Sequence, residues 1–316
     1  MSKTAIKLSV VGGAGLVGAT TAYTAVMKGL ASEVVLCDVL ADKAEGEAMD
    51  ISHGLAFEPQ GKVYSGDYPA TKDSDLVIIT AGTGQHPGET RLAMVSRNAK
   101  IMTDVAQNVA QYSPNAVYLI ISNPVDIMTQ VFQEVSGIPT ERVIGSGTNL
   151  DTARFRYILS QKFGVDVKNV HAYILGEHGD SEFPAWSIMD IAQMRINEAS
   201  DVFGGVMQDA DYDQIANEVK NAAYEIINRK GATYYGIAMS ATRIAEAILR
   251  DEKAIFPLSV KLTGQYGIDG VNLSLPAVVG QNGIEKILAP HLSDPEVASL
   301  HHSADILRAA KAEIAK

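Results

Sequence analysis

A glycine-rich turn near the N-terminus constrains the fold of this chain more than any other feature. Residues 6–11 form a short apolar run, Gly13-x-Gly15-x-x-Gly18 follows directly, and a helical pattern continues to about Lys28. Between a strand and a helix, glycines at this spacing permit a tight turn, close approach of the backbone to a pyrophosphate and close helix–strand packing. The pattern predicts a dinucleotide-binding unit, and an ordinary glycine-rich turn is the alternative.

The rest of the N-terminal half alternates continuous apolar runs with helical patterns. Continuous apolar runs are typical of buried parallel strands, because helices cover both faces of such a sheet. The alternation predicts an α/β fold with a Rossmann-type, doubly wound parallel sheet. The further strands are expected at 34–38, 76–80 and 117–121, and the helices at 42–53, 90–111 and 126–135.

Around residue 145 the pattern changes. Longer helical segments now occur together with shorter strand-like pieces, which indicates a C-terminal α+β substrate domain. We place the two domains at 1–145 and 146–316, and the absence of a low-complexity linker predicts that they pack tightly. The helices are expected at 150–162, 211–229, 236–250 and 294–315, and the strands near 170–175, 188–195, 255–262 and 268–275.

Composition excludes several classes of function. With 316 residues, 47% hydrophobic and 20% charged, the chain has enough apolar residues for a large core. Its net charge of −11 argues against nucleic-acid or acidic-membrane partners, so local arginines must capture an anionic substrate. Cys37 is the only cysteine and no stretch has the length of a membrane-spanning helix, so we expect a cytoplasmic protein. No metal site is expected, because the adjacent His301 and His302 do not face each other on a helix.

Polar residues at strand ends indicate which cofactor binds. Asp38 ends the second strand, where a carboxylate can accept hydrogen bonds from ribose hydroxyls and would repel a 2′-phosphate. This favours NAD over NADP, and a strand-end cap is the alternative reading. Thr80-Ala81-Gly82 and Ser122-Asn123-Pro124 end two further strands, at the edge where ligands bind to such sheets.

A histidine between glycines and acids supplies the proton chemistry. His178 lies in Leu-Gly-Glu-His-Gly-Asp-Ser-Glu, residues 175–182, and an imidazole can accept and donate a proton near neutral pH. Asp151 could orient it, and Arg154, on the same helix face, could hold a substrate carboxylate bidentately. This set predicts reversible oxidation of a 2-hydroxy acid. A structural histidine and a helix-surface ion pair are the alternatives.

A third segment completes the predicted site. Residues 82–92 contain three glycines and a proline, which indicates a loop, and Arg91 lies near its far end. A mobile lid with an arginine could exclude water and polarise a carbonyl. A plain surface loop is the alternative.

Taken together, these segments resemble the bacterial-type L-lactate dehydrogenases of the lactate/malate dehydrogenase superfamily. The resemblance extends over essentially the whole chain, and several of its motifs are specific. The motifs are Gly13-Ala14-Gly15-Leu16-Val17-Gly18, Pro87-Gly88-Glu89-Thr90-Arg91-Leu92, Ser122-Asn123-Pro124-Val125-Asp126, Gly147-Thr148-Asn149-Leu150-Asp151-Thr152-Ala153-Arg154, Gly176-Glu177-His178-Gly179-Asp180 and Lys230-Gly231-Ala232-Thr233-Tyr234-Tyr235-Gly236.

The resemblance implies a role for each matching residue. His178 is expected to be the acid/base catalyst with Asp151 as its partner, Arg154 to bind the substrate carboxylate, and Arg91 to polarise the ketone. The resemblance further places Asn123 and Thr233 in the substrate pocket and Ile237 against the nicotinamide. The residues expected to contact NAD are Gly13, Gly15, Val17, Gly18, Asp38, Thr80, Ala81, Gly82, Ser122, Asn123 and Ile237.

One loop position separates the lactate and malate enzymes of this superfamily. Malate enzymes have an arginine there, whereas this chain has Gln85, which suits the methyl group of pyruvate. The loop departs from the commonest lactate-enzyme pattern at Gly84 and His86, where asparagine and lysine are usual. The expected reaction is NADH-dependent reduction of pyruvate to lactate. A malate enzyme, an enzyme for a bulkier 2-hydroxy acid and a non-catalytic relative are the alternatives.

Two further residues match a regulatory site of the family. Arg156 lies about 200° around the helix from Arg154 and so outside the active site. Read alone, Arg156 is a solvated side chain and His171 a satisfied structural histidine. The resemblance instead implies that they bind fructose 1,6-bisphosphate across a subunit interface in a homotetramer.

Overall fold

The computed structural model describes residues 5–58, 61–84, 91–204 and 206–314, except for the side chains of residues 91 and 92. The helices of this part are α1 (Leu16–Met27), α2 (Ala41–His53), α3 (Arg91–Val109), α4 (Val125–Ser136), α5 (Asn149–Phe163), α6 (Ile196–Phe203), α7 (Asp209–Lys230), α8 (Tyr235–Leu249) and α9 (Asp294–Ile314). The strands are β1 (Lys7–Val11), β2 (Glu33–Cys37), β3 (Lys62–Gly66), β4 (Leu76–Ile79), β5 (Val117–Ile120), β6 (Val143–Gly145), β7 (Val170–His171), β8 (Ile174–Leu175), β9 (Phe183–Pro184), β10 (Asp190–Ile191), β11 (Met194–Arg195), β12 (Ala254–Thr263), β13 (Asp269–Gly280) and β14 (Gly283–Ile287).

The N-terminal half has the predicted doubly wound sheet. Strands β1 to β6 are parallel and lie in the order β3-β2-β1-β4-β5-β6. Strands β1, β2, β4 and β5 are almost fully buried, as their continuous apolar sequences predict. The order reverses between β1 and β4, and the carboxyl ends of these strands therefore form the crevice in which ligands bind.

The second half does not build a separate large sheet. Antiparallel strands β12, β13 and β14 extend the first sheet, which has nine strands in the described residues. The junction is narrow, because β6 pairs with β12 through Gly145 and Ser259. A Cβ on Gly145 would lie 2.6 Å from the Ser259 Cβ, so only glycine permits this approach. The remaining short strands form two small sheets, β11-β10-β7 and β8-β9.

The apolar core has two parts. The larger part surrounds the main sheet, and the smaller part packs α5, α6 and α7 against the small sheets around residues such as Phe155, Leu159 and Ile191. Sequence patterns missed α6 and the strands β3, β6 and β14, because these elements are short or half exposed. None of the described helices is both long and apolar enough to cross a membrane.

Candidate active site

The glycine turn after β1 leaves no room for side chains. Gly12 has a φ of +90°, and a Cβ there would lie 2.7 Å from the backbone nitrogen of Ala81. A Cβ on Gly18 would lie 2.1 Å from the Gly12 carbonyl oxygen. The start of α1 is therefore pressed against the turn, and its first turn contains no acidic residue that would oppose an anion.

A cavity of about 820 Å³ opens beside this turn. Asp38 lines it, and its carboxylate accepts hydrogen bonds from the backbone N–H groups of Ala14 and Leu40, each at 3.0 Å. The predicted cofactor residues Gly15, Thr80, Ala81 and Gly82 also line the cavity. The steric cradle, the free helix N-terminus and the acid at the end of β2 all fit an NAD dinucleotide.

Hydroxyl groups fasten the strand ends around the cavity. Thr80 donates a hydrogen bond to the carbonyl oxygens of Val11 and Gly12, at 3.2 and 3.1 Å. Ser122 donates to the Ala81 carbonyl oxygen at 2.5 Å. The ends of β1, β4 and β5 are thus joined to one another, which fixes the geometry of the crevice.

An amide that sequence analysis did not single out connects the cofactor cavity to Asn123. Asn98, in α3, is buried and accepts a hydrogen bond from the Thr83 N–H at 3.0 Å. Its Nδ2 donates to the carbonyl oxygens of Thr83 at 3.0 Å and Asn123 at 2.9 Å. Because Thr83 lines the cofactor cavity and Asn123 lines a second cavity, Asn98 holds the two walls at a fixed distance.

The second cavity, of about 280 Å³, contains the predicted catalytic pair. The His178 Nδ1 lies 2.6 Å from the Asp151 Oδ2, and the Asp151 side chain is only 3% exposed. The pair joins α5 to the irregular loop of residues 176–182, here called the His178 loop. Since Asp151 binds Nδ1, the other ring nitrogen of His178 is left for a substrate.

Arg154 shares this cavity and is paired with Asp151. Its NH1 nitrogen lies 2.6 Å from the Asp151 Oδ1, and its side chain is 16% exposed. A guanidinium has five N–H donors, so this ion pair leaves donors for a bidentate carboxylate. Asp151, His178 and Glu182 place possible metal-ligand atoms within 4.8 Å of one another, but Arg154 neutralises Asp151 and opposes a cation.

The surroundings of His178 favour its protonated form. Burial lowers the pKa of the ring, but the carboxylates of Asp151, Glu182 and Asp126 more than offset this and raise it to about 9. Although burial of Asp151 opposes its charge, His178 and Arg154 hold the pKa of Asp151 below its ordinary value. The sequence alone suggested a ring that titrates at about pH 6.5, whereas in this site the ring is cationic at neutral pH.

Two buried acids hold the His178 loop in place. The Asp126 Oδ2, in α4, accepts the backbone N–H of His178 at 2.9 Å, and the Ser259 hydroxyl donates to its other oxygen. Burial raises the pKa of Asp126 to about 6. Glu177 accepts the Ser181 hydroxyl at 2.5 Å. Asp126 therefore ties the loop to α4 and, through Ser259 of β12, to the main sheet, whereas the Glu177 contact lies within the loop.

Comparison with known proteins identifies the family to which this chain belongs. Residues 6–145 match the lactate/malate dehydrogenase NAD-binding domain, and residues 148–316 match the lactate/malate dehydrogenase alpha/beta C-terminal domain. The chain belongs to the lactate/malate dehydrogenase family. The predicted family and fold class are confirmed, and the chain is an NAD-dependent oxidoreductase of this family.

Relatives and solved structures agree along the full length. The chain is 49% identical to an L-lactate dehydrogenase of Thermoanaerobacter sp., covering 98% of this chain and 99% of the relative. It is 51% identical to L-lactate dehydrogenase 1 of Clostridium acetobutylicum, covering 96% of each. A lactate dehydrogenase from a deep-sea metagenome library superposes with a TM-score of 0.95 at 45% identity and 99% coverage of each chain. The minor L-lactate dehydrogenase of Enterococcus mundtii superposes with a TM-score of 0.94 at 43% identity and 98% coverage of each.

Some of the predicted site residues do not line the 280 Å³ cavity in the part of the chain that the structure describes. Thr233 precedes α8 and Ile237 lies within it, and neither lines the 280 Å³ cavity. Gln85 and the side chain of Arg91 lie outside the described residues, so their roles stay predictions. The catalytic pair, Arg154 and Asn123 are the predicted residues that the structure brings together at this cavity.

Helix α7 and α3 supply wall residues that the sequence patterns did not reveal. Lys220 and Tyr224 of α7 and Met94 of α3 line the cavity, and the Lys220 ammonium donates to the Asp180 carbonyl oxygen. Helical spacing alone does not predict these wall residues, because it does not show which part of the protein α7 packs against. Glu182 also lines the cavity, although it lies in the motif that identified His178.

The two predicted regulatory residues lie close to each other and apart from the cavity. The Arg156 Nε donates to the carbonyl oxygen of Ala172 at 2.8 Å, and its guanidinium lies 5.1 Å from the Tyr173 ring centre. His171 is exposed on β7, next to Ala172. Neither Arg156 nor His171 lines the 280 Å³ cavity.

Proposed function

We propose that this NAD-dependent oxidoreductase is an L-lactate dehydrogenase that interconverts pyruvate and lactate, with His178 as its acid/base catalyst. The observation that supports this most directly is the 2.6 Å Asp151–His178 contact in one cavity with the Arg154 guanidinium. A 2-oxo acid has a carboxylate for the guanidinium and a ketone for the imidazolium. The family match and the relatives named L-lactate dehydrogenase support the same assignment.

In the proposed reduction, the hydride for the ketone carbon would come from NADH when it is bound in the cofactor cavity. His178 donates a proton to the ketone oxygen from the ring nitrogen that does not face Asp151. Asp151 fixes the tautomer and stabilises the cationic ring before transfer, since the carboxylate and the ring are in direct contact. In lactate oxidation the neutral ring accepts the hydroxyl proton. Pyruvate reduction therefore needs the protonated ring of His178, and lactate oxidation needs the neutral ring.

The remaining predicted residues would position the substrate. Arg154 would hold the carboxylate through its free donors, and Asn123 would orient the substrate oxygen beside the cofactor. Arg91 would polarise the ketone, Thr233 would line the pocket, and Gln85 would accept a methyl group while leaving a second carboxylate without a counter-charge. Selection against malate thus rests on Gln85 in this proposal.

The decisive experiment measures initial rates of NADH oxidation with pyruvate and oxaloacetate under matched conditions, with and without fructose 1,6-bisphosphate. We expect a strong preference for pyruvate. A preference for oxaloacetate would replace the proposal with a malate enzyme. Turnover of a branched 2-oxo acid but not of pyruvate would point to a bulkier substrate.

A variant separates catalysis from binding in the same assay. His178→Gln should bind NADH with the affinity of the unmodified protein and lose turnover by about 10²- to 10⁴-fold. A protein that binds NADH but turns over none of these 2-oxo acids, with or without the bisphosphate, would instead be a non-catalytic relative.

We propose further that Arg156 and His171 bind fructose 1,6-bisphosphate at a subunit interface of a homotetramer. Their closeness through Ala172 supports a shared anion site, since both side chains can be cationic. Adjacent helices α1 and α8 also expose large apolar side chains, including Tyr23 and Met239, as a subunit interface would. A bisphosphate would relieve repulsion between these cations and their symmetry mates.

The effector assay uses His171→Gln with His302→Gln as control, because His302 is an exposed histidine on α9. We expect loss of activation in the first variant only, with basal turnover unchanged in both. Activation that survives His171→Gln would reject this site. Light scattering with and without the bisphosphate would measure the assembly.

The proposal includes a cytoplasmic location. Cys37 is buried and unpaired, which suits a reducing compartment. Burial, followed by the charges of Asp38 and Asp67, raises the pKa of its thiol to about 12, so it does not form a reactive thiolate. Fractionation of cells with an antibody against the chain would test the location.

A further inference from the structure

Glu182 is a buried acid beside His178 to which the proposed reaction assigns no step. It ends the His178 loop and lines the 280 Å³ cavity, and its side chain is only 6% exposed. Its Oε2 lies 3.9 Å from the His178 Nδ1. A buried carboxyl group without a role in the site calls for a physical explanation, because burial of a charge is costly.

The geometry limits what Glu182 can do to His178. The Nδ1 proton is already donated to Asp151 at 2.6 Å, and 3.9 Å is too long for a second hydrogen bond. Glu182 therefore acts on the ring through its charge. A negative charge within about 4–6 Å favours the protonated ring and a neutral carboxyl does not.

Charged groups from every neighbouring element face this pair. Helix α5 contributes an acid and an arginine, α4 an acid behind the loop backbone, and α7 a lysine at the cavity wall. Asp151 opposes ionisation of Glu182, whereas His178 and the two other cations favour it. These groups are Asp151, Arg154, Asp126 and Lys220.

The opposing effects of these groups give the Glu182 carboxyl group an unusually high pKa. Burial, followed by the charge of Asp151, raises the pKa of Glu182 to about 8. The carboxyl group is thus mostly neutral at pH 7 and becomes negative as the solution turns alkaline. This is the range just below the pH at which His178 loses its proton.

We propose that Glu182 is a positioning residue for the catalytic proton, which extends the protonated range of His178 by supplying a second negative charge beside the ring in alkaline solution. The inference rests on the proposed function of His178. Glu182 touches neither substrate nor cofactor in this role. At neutral pH its carboxyl group is mostly neutral, and the charges of Asp151 and Asp126 favour the protonated ring.

The sign of the effect follows from the reaction. Reduction of pyruvate uses the His178 proton, so kcat/KM falls as pH rises through the pKa of that ring in the free enzyme. Glutamine at position 182 imitates the neutral carboxyl group. Glu182→Gln should therefore match the unmodified enzyme near pH 6.5, where both groups are neutral, and fall behind it only in alkaline solution.

The experiment measures kcat/KM for pyruvate from pH 6 to 10.5 in the full-length enzyme. We expect the alkaline decline of Glu182→Gln to begin about one pH unit lower, which makes the variant about ten-fold slower at high pH. Glu198→Gln makes the same charge change at an exposed site on α6 and should leave the profile unchanged. A uniform loss at all pH values, or an unshifted decline, would overturn the inference.

A second measurement does not depend on turnover. NMR titration of labelled histidine rings, with the His178 signal identified by its absence in His178→Gln, gives the ring pKa directly. We expect a lower ring pKa in Glu182→Gln and partial recovery in Glu182→Asp, which keeps the charge. If the unmodified protein does not reduce pyruvate, the proposed function fails while this titration still decides the role of Glu182. An unchanged ring pKa with normal pyruvate reduction would remove the inference alone.

Discussion

The cofactor end and the substrate end of the site are built by different kinds of contact. At the cofactor end, Gly12 and Gly18 permit backbone distances that a single Cβ would prevent. At the substrate end, Asp151, Arg154 and His178 form a charged cluster in which the acid contacts both cations at 2.6 Å. The glycines of the first region should be sensitive to an added atom, and the cluster in the second region to a change of charge. The following substitutions test this difference.

The largest effect is expected from a change of charge without a change of shape. Asp151→Asn should lower kcat for pyruvate reduction by about 10³-fold, because the ring loses the charge that stabilises its proton and orients it. NADH affinity should stay within about two-fold, since Asp151 does not line the cofactor cavity. Stopped-flow turnover and NADH fluorescence titration measure the two quantities. Asp201→Asn, at an exposed position of α6, provides the matched control.

The second prediction adds one methyl group at the cofactor end. Gly18→Ala should weaken NADH binding at least ten-fold and lower the free energy of unfolding by about 3 kcal/mol, because α1 must move away from Gly12. Gly46→Ala, in α2, has open space around its Cβ and should raise stability by about 0.5–1 kcal/mol. Thermal and denaturant unfolding of both variants measure the contrast. Equal stability of the two would contradict the steric account.

The smallest effect is expected where the two regions meet. Asn98→Ala removes the hydrogen bonds to Thr83 and Asn123, and it should lower kcat/KM for pyruvate about ten-fold, at about 1–2 kcal/mol for the lost contacts. Asn108→Ala, on the same helix, breaks only contacts to Asp104 and should leave kcat/KM unchanged. An increase in KM alone, or a decrease in kcat alone, would show which of the two cavity walls Asn98 supports.

Local patterns were sufficient to predict much of the molecule. Apolar runs and helical spacing predict the longer helices and the strands β1, β2, β4 and β5. This works because a strand that is buried on both faces has an apolar sequence that can be recognised directly. The glycine motif is recognised from its local spacing, although the atoms that a Cβ on Gly13 would meet belong to the distant Leu36. Gly12, which has the positive φ, lies just before the motif, and the motif spacing alone does not indicate its conformation.

Long-range contacts could not be predicted in the same way. Asn98 and Lys220 lie on amphipathic helices and contact residues that are distant in sequence. The sequence pattern of such a helix does not distinguish a polar residue that makes a long-range contact from one that faces solvent. The charge state of His178 depends on carboxylates contributed by α4, α5 and its own loop, so no local pattern indicates a pKa of about 9. The continuation of the sheet from β6 to β12 was also beyond local reasoning, because a single residue pair joins them.

That narrow join between β6 and β12 has a consequence for how the protein is synthesised. Before residues 254–263 are translated, β12 is not available, and β6 would be the edge strand of a sheet formed by β1 to β6. An uncovered edge strand is a template for pairing with other chains. Because β6 has only three residues, however, this edge is short, which limits how long a stretch of another chain could pair with it.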